Sequence, residues 1–430
     1  MSMAAYWQLS ANLQMNSFKD MRKLSFIFSF FLLVACGDKE EGRVTLVLEN
    51  QLDIERADEL IVLTRGEIEN RLGKTGDSLV VLVYENDVAI PSQLDDLDKD
   101  GKWDELAFVY SFAPDQKVEL ILATAPLSEQ PQFPKRTNVR FAKIVVKGEQ
   151  YEEMDSAVRL KGWLTDTTQK YFQFEGPGWE NDKVGFRNYF DERNGMDIWG
   201  KTTQEMVLDK VGINDNYHEM GSWGMDILKV ANSLGAGALA IQYNDSLYRV
   251  TAPEGGSFEL ISEGPARSIF NLNFEKVALN GATVGIQHQI SIIAGEYGYR
   301  SSIKVDNAPD GLLLASGIVN IQTDTVYNIE TDKARIVYTH DKQSYNNEML
   351  GMGIVVGKDR FRESFATPEE GEGITQTYAV SFADEKNVDY IFYAGWELSD
   401  SSFARRESFE KYLIDRANRF TDPVVVKFKN

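Results

Sequence analysis

The chain has 430 residues, and 43% of them are hydrophobic, which is enough for a substantial core and argues against disorder. This length favours two or three domains, or one large β domain with an accessory one. The formal net charge of −21 makes the chain a poor candidate for nonspecific binding of nucleic acid or of anionic lipid headgroups.

Residues 1–35 have the features of a bacterial lipoprotein signal peptide. A positively charged start at Met21–Lys23 precedes the apolar run Leu24–Ala35, which is too short to span a bilayer as a mature helix. The residues before Met21 lack leader character, so we place the true start there. Leu33–Cys36 matches a lipobox, so we expect cleavage before Cys36, lipidation of this residue, and a protein anchored to the outer membrane. A plain secretory signal with an incidental cysteine is the alternative.

The acidic run GDKEE follows the cysteine and resembles the export signal of surface-exposed lipoproteins of glycan-foraging Gram-negative bacteria. We therefore expect the protein at the cell surface or on the periplasmic face of the outer membrane. The lipid anchor is the only contact with the membrane that the sequence predicts.

Short runs of β-branched residues, separated by turn residues, extend from Arg43 to about Lys147. They predict a small antiparallel β domain, which we place at residues 36–150. A higher density of strand-like runs follows, and it predicts a large antiparallel β-sandwich of the supersandwich type at residues 151–430. Near the end, apolar residues spaced by three and four predict an amphipathic C-terminal helix at Phe409, Leu413, Ala417 and Phe420.

An acidic segment of the smaller domain begins like a calcium-binding loop. Its D-x-D-x-D-G pattern lets alternating carboxylates converge on one cation, and the glycine permits the sharp turn between them. The twelfth position is Ala107 rather than the glutamate of an EF-hand, so the loop is not an EF-hand. A solvated acidic turn is the alternative. We expect calcium to stabilise the structure, and the predicted ligands are Asp96, Asp98, Asp100, Asp104 and Glu105.

The stretch from Gln173 to Gly237 departs from the β pattern around it. It is rich in glycine and interleaves proton-transfer groups, carboxylate-binding groups and aromatic residues. Because aromatic faces stack on sugar rings and a guanidinium pairs with a carboxylate, this mixture predicts a carbohydrate-active site. Tryptophan is also an ordinary core residue. The residues predicted to bind substrate are Asn188, Trp179, Trp199, Trp223, Lys201 and, from a later strand, His288.

Four residues of this stretch are candidates for catalysis. His218 has a ring suited to proton transfer near neutral pH, and it is flanked by Tyr217 and a carboxylate. Arg187 can bind a carboxylate, and Tyr189 can move a proton. The alternatives are a structural histidine and an ion pair between Arg187 and Asp191.

Several common catalytic motifs are missing. The sequence has no G-x-G-x-x-G after a strand and no Walker loop, so no nucleotide or redox cofactor is expected. G-x-S-x-G and H-E-x-x-H are absent as well, which leaves common acyl-transfer nucleophiles and zinc-dependent hydrolysis without support.

The segment EGPGWENDKVGFRNYFDERNGMDIWGK, followed by YHEMGSWGMDILKVANSLGAG, resembles a domain family of formerly unknown function. Members of that family are lipoproteins and periplasmic proteins from polysaccharide-utilisation loci. The acidic loop and the GWEL segment near Trp396 fit the same family, and the resemblance covers essentially all of the mature chain. It implies an oligosaccharide dehydratase that acts on anionic ulvan fragments. Such an enzyme removes water from a uronic acid at the non-reducing end and leaves a 4,5-unsaturated uronate.

This elimination needs a neutralised carboxylate, a base for the C5 proton and an acid for the departing hydroxyl. The stretch supplies Arg187 and Asn188 as neutralisers, His218 as base, and Tyr189 or Tyr217 as acid. The hypothesis requires Arg187 and His218 to lie within reach of one substrate. A sugar mutarotase or epimerase and a non-catalytic glycan-binding lipoprotein are the alternative functions.

Overall fold

The computed structural model describes residues 42–429, except for 77, 160–164, 252–254 and 384–385. The predicted signal peptide and the lipidation site Cys36 lie outside the described residues. In the part that is described, no helix is long and apolar enough to cross a membrane.

The first part of the chain alternates short strands with one helix. Thr64 caps the helix, because its hydroxyl accepts from the backbone of Glu67 while the Glu67 carboxylate accepts from the backbone of Thr64. The elements are β1 (Arg43–Glu49), β2 (Arg56–Thr64), α1 (Arg65–Leu72), β3 (Leu79–Glu85), β4 (Val88–Ala89), β5 (Ser92–Asp95), β6 (Glu105–Phe112) and β7 (Lys117–Pro126).

The middle of the chain contains short strands and long connections. Its elements are β8 (Thr137–Arg140), β9 (Ala142–Val146), β10 (Gln150–Glu153), β11 (Ser156–Arg159), α2 (Thr165–Tyr171), β12 (Gly178–Asn181), β13 (Val184–Asn188), β14 (Met196–Lys201), β15 (Gly224–Asp226), β16 (Ala240–Tyr243) and β17 (Ser246–Arg249).

The last part contains the longest strands. Its elements are β18 (Gly256–Ser262), β19 (Arg267–Leu279), β20 (Ala282–Ile293), β21 (Gly298–Asp306), β22 (Leu313–Val319), β23 (Tyr327–Glu330), β24 (Ala334–Asp341), β25 (Leu350–Gly357), β26 (Phe361–Ala366), β27 (Thr377–Phe382), β28 (Asn387–Trp396), α3 (Arg406–Thr421) and β29 (Val425–Lys429).

A nine-stranded sheet forms one layer of a large sandwich. Its order is β11-β18-β19-β20-β21-β28-β25-β24-β23, and neighbouring strands are antiparallel. Two five-stranded sheets, β15-β14-β13-β12-β8 and β17-β16-β22-β27-β26, share one apolar core with its inner face. The core includes Trp179, Phe186 and Phe270. The predicted mostly β fold, with a large antiparallel sandwich, is confirmed.

The remaining sheets are built mainly from the first part of the chain. The last strand returns to the beginning of the chain, so the order of the first sheet is β29-β1-β7-β3-β4, and a three-stranded sheet β2-β6-β5 shares its apolar core. The remaining sheet pairs β10 with β9. The proposed domain boundary near residue 150 stays a prediction.

Helix α3 covers part of the outer face of the nine-stranded sheet. It packs on β24 and β25 through Phe409 and Leu413, both fully buried. Gly351 of β25 makes room for the helix, since a Cβ there would overlap the Phe409 ring. The predicted C-terminal helix is confirmed, and its apolar stripe is the face that packs.

A candidate active site around Arg187

Alternation along three short strands sorts the residues of the glycine-rich stretch onto two faces. Phe186, Ile198 and Met225 point into the sandwich core. Their neighbours Arg187, on β13, and Asp197, on β14, face the other way and are directly opposite in register. The opposite face therefore collects the charged residues, and the connection over residues 202–223 lies against this face through residues such as Leu208 and Tyr217.

Arg187 lies between two carboxylates on this face. Its Nη2 pairs with Asp197 and lies 2.9 Å from Oδ2 of Asp226 on β15. The Tyr189 hydroxyl donates to Asp197 over 2.6 Å. The guanidinium carbon also lies 4.9 Å from the centre of the Trp199 ring. All of these groups are buried, so the cluster is held together by charge in a medium of low polarity.

One guanidinium cannot balance two ionised carboxylates. Burial, and next the neighbouring carboxylate of Asp197, raise the pKa of Asp226 well above its usual range. The pair of carboxylates therefore retains a proton at pH values where an exposed aspartate is ionised.

His218 lies at the solvent-facing edge of this cluster. Its side chain is 52% exposed, and its Nδ1 lies 3.4 Å from Oδ2 of Asp226. Burial lowers the pKa of His218, and the positive charge of Arg187 lowers it further. The ring is therefore neutral at neutral pH, which is the state in which a histidine accepts a proton.

Tyr217 connects His218 to Arg187. The centres of the Tyr217 and His218 rings are 4.5 Å apart, and Arg187 Nη1 donates to the Tyr217 hydroxyl over 3.4 Å. The backbone N–H of Asp226 donates to the Tyr217 carbonyl over 2.8 Å, which ties the connection to β15. Burial raises the pKa of Tyr217, so its hydroxyl keeps its proton at neutral pH. Arg187 and His218 thus lie on either side of Asp226, with His218 towards solvent and Arg187 buried.

Two of the predicted catalytic residues are inaccessible. Arg187 is 2% exposed, and its Nη2 is already engaged by Asp197 and Asp226. Tyr189 is buried and donates to Asp197. In this arrangement neither side chain can contact a substrate directly, which does not match the roles predicted for them.

Two of the predicted aromatic platforms are also buried. Trp179 packs in the sandwich core, 5.3 Å from the ring of Tyr299, and is fully buried. Trp199 lies under Tyr217, with ring centres 5.1 Å apart. Trp223 packs against Trp199 and, unlike the other two, is only partly buried.

The predicted polar substrate-binding residues have partners within the protein. Lys201 pairs with Glu180 and donates to a backbone carbonyl over 2.6 Å. Asn188 donates to Asn194 over 2.9 Å. His288 faces the sandwich core, where burial lowers its pKa to about 3 and its Nε2 lies 2.9 Å from the Ser301 hydroxyl. These positions indicate structural roles, because none of these side chains reaches solvent.

A family described as a domain of unknown function (DUF4861) matches residues 48–426. The chain belongs to this family. A relative from Formosa agariphila with the name "Uncharacterized protein P7" is 24% identical over 432 residues, which cover 96% of this chain and 100% of that protein. The predicted membership in a family of formerly unknown function is confirmed at this level.

Two solved structures from Enterococcus faecalis resemble the DUF4861 chain distantly. One is an alpha-mannosidase, with a TM-score of 0.46 and 10% identity over 90% of this chain and 46% of that one. The other is a protein in the glycosyl hydrolase family 38, with a TM-score of 0.40 and 9% identity over 91% of this chain and 48% of that one. The DUF4861 chain spans about half the length of these proteins, and a likeness at this level identifies no activity.

Sequence reasoning assigned no role to Asp197 or Asp226, the two acids at the centre of the candidate site. A signal for them is present, because each lies in a G-M-D-I segment, at Gly195–Ile198 and Gly224–Ile227. An acid between two apolar residues of a short strand faces away from the core that its neighbours enter. Two such segments in one glycine-rich stretch indicate a buried pair of carboxylates.

The acidic loop of the DUF4861 chain brings three of its five predicted ligands together. One carboxylate oxygen from each of Asp96, Asp98 and Asp104 lies within 4.8 Å of the others. Asp100 instead accepts from the backbone of Lys102 over 2.8 Å, and Glu105 pairs with Arg267. Oxygen ligands at this spacing suit calcium, and its binding here stays a prediction.

Proposed function

We propose that the chain is an oligosaccharide dehydratase, a carbon–oxygen lyase that removes water from a uronic acid at the non-reducing end of ulvan-type oligosaccharides. The observation that carries this proposal is the exposed, neutral ring of His218, with Nδ1 towards Asp226 and the Tyr217 ring beside it. This is an acid–base pair at the surface of a buried charge cluster. The resemblance in sequence supplies the substrate class, since the pair alone fits several sugar reactions.

In this reaction His218 acts as the base. With Nδ1 directed at the Asp226 carboxylate, an N–H on that nitrogen leaves the lone pair on Nε2 free for the C5 proton of the uronate. The C5–H electron pair forms the C4–C5 double bond as the C4–O bond breaks. Asp226 is a positioning residue, because its carboxyl group lies beside Nδ1 and holds the ring in place.

Tyr217 acts as the acid that protonates the departing C4 hydroxyl, and the products are one water and the unsaturated uronate. Its raised pKa keeps the proton available at neutral pH. The nearby Arg187 charge stabilises the phenolate left after transfer, through the 3.4 Å contact with the hydroxyl. Arg187 thus acts through the Tyr217 hydroxyl and does not bind the substrate carboxylate as predicted from the sequence. Asn188, which was predicted to neutralise the substrate carboxylate, is buried, so we do not assign that role to it.

A glycoside hydrolase would use two carboxylates about 5–9.5 Å apart on either side of the bond that breaks. Asp197 and Asp226 do not fit that role. Both bind the same guanidinium nitrogen and are buried beneath His218, which leaves no room for a sugar between them.

Incubation with saturated uronate-terminated ulvan oligosaccharides tests the proposal. The expected result is ultraviolet absorbance of an unsaturated uronate, together with loss of one water by mass spectrometry. Anomeric or C5 inversion without mass change would replace the dehydratase by a mutarotase or epimerase. Release of a monosaccharide would replace it by a hydrolase. Binding without any reaction would leave a glycan-binding lipoprotein.

A further inference from the structure

The outer face of the nine-stranded sheet forms an open polar groove where α3 does not cover it. Strands β18–β21 line a cavity of about 600 Å³ there. The strand register sets polar side chains of this face in two parallel rows. One row runs through Asn271, Gln289 and Ser302, and the other through Asn273, Gln287 and Lys304.

Each row crosses three strands that lie about 4.8 Å apart, and the rows are separated by two residues along each strand. One hydrogen bond within the first row is long. Gln289 donates to Asn271 over 3.4 Å, at the long end of the hydrogen-bond range. Since Gln287 and Gln289 are exposed, most of their donors and acceptors face the groove.

Two features flank the groove. At one side Lys99, from the acidic loop, pairs with Glu259 of β18 over 3.4 Å. At the other side a second cavity of about 210 Å³ continues past Gln289 and Ser302 to Phe420, at the end of α3. The amide floor therefore ends at an aromatic side chain.

Gly285 lies in the floor of the groove, in the interior of β20. A Cβ there would lie 3.4 Å from the Asp306 Cβ, which is ordinary contact, so packing does not require a glycine. A glycine in a strand interior weakens the strand and often marks a place where a ligand approaches the backbone.

We propose that this groove binds a neutral oligosaccharide, at a site separate from that of His218. Each carboxamide offers donors and an acceptor side by side, which matches sugar hydroxyls that donate and accept. Glu259 and Asp306 make the groove unfavourable for a polyanion, and the face between Lys99 and Phe420 offers little apolar surface for a lipid or a hydrophobic helix. The site would hold a neutral stretch of polysaccharide against the protein independently of any reaction at His218.

Isothermal titration calorimetry with xylohexaose, cellohexaose and mannohexaose tests this proposal, with an oligoglucuronate of equal length for comparison. We expect at least one neutral hexasaccharide to bind the full chain, whereas any binding of the oligoglucuronate, which fits the site of His218, should be unchanged in variants of the groove. The double variant Asn271→Ala/Gln289→Ala should weaken binding of the neutral hexasaccharide about tenfold or more, because two side chains that hydrogen-bond the sugar are lost. Gly285→Leu, which fills the floor, should also weaken it.

Asn280→Ala, in the turn of the same hairpin, is the matched control and should bind like the wild type. His218→Ala should also bind like the wild type, so a failure of the proposed reaction leaves this test intact. Equal melting temperatures establish that each variant is folded. The proposal is overturned by no binding of any neutral probe, by loss of oligoglucuronate binding in the folded double variant, or by unchanged binding of the neutral probe in that variant.

Discussion

Replacement of Arg187 by methionine should destabilise the protein strongly, because Arg187 is the buried counter-ion of two carboxylates. The change leaves Asp197 and Asp226 buried without their cation, at 2% and 4% side-chain exposure. Removing one partner of a buried ion pair costs about 3–5 kcal/mol, since the remaining charge is not compensated. We expect a loss of this size in the free energy of unfolding from urea titration at neutral pH.

Arg136→Met is the matched control, because Arg136 also lies between two carboxylates, Asp58 and Asp182, but is 31% exposed. Solvent screens that site, so its loss should be about 1 kcal/mol. The Arg187→Met defect should also shrink as the pH falls, because protonation of the two acids removes the uncompensated charge. Equal losses in the two variants, or a defect that does not depend on pH, would refute the description of Arg187 as a buried counter-ion.

Three further predictions concern titration and calcium. The pKa of Asp226 is raised in the folded state, so its protonation stabilises the fold at pH values below the unfolded pKa. This stabilisation is lost as the pH rises through the folded pKa, and Asp226→Asn should flatten the pH dependence of the free energy of unfolding measured by urea titration. The rate of dehydration should rise with pH through a pKa below the usual value of His218, and a midpoint above about 6.5 would contradict a neutral base. Calcium should raise the melting temperature of the wild type and of Asp332→Ala, but not of Asp98→Ala; no effect on the wild type would exclude the calcium site.

The sequence predicted the fold class well because alternation and spacing are local properties. Runs of alternating apolar residues form strands, and Phe409 and Leu413, which are four residues apart, lie on the buried face of α3. The return of β29 to β1 was not predictable, since it pairs residues from opposite ends of the chain and leaves no local pattern.

The candidate site was located by its composition but not resolved by it. Loop-like sequence concealed four short strands, β12 to β15, and residue type alone does not tell which face of a strand a side chain occupies. Trp179 and Lys201 were therefore predicted to bind substrate but are buried. The inward orientation of His288 could have been predicted from the sequence, because residues two apart in a strand share a face and its neighbours at that spacing are Ile286 and Ile290.

The most direct test of the proposed function is the turnover of saturated uronate-terminated oligosaccharides by the wild type, His218→Ala and the neighbouring control Glu219→Ala. The wild type and Glu219→Ala should form the unsaturated uronate with loss of one water. His218→Ala should lower kcat by about 10²–10⁴-fold, as loss of a general base does, without lowering the melting temperature. Near-wild-type turnover by His218→Ala, or no unsaturated product from the wild type, would contradict the proposed reaction.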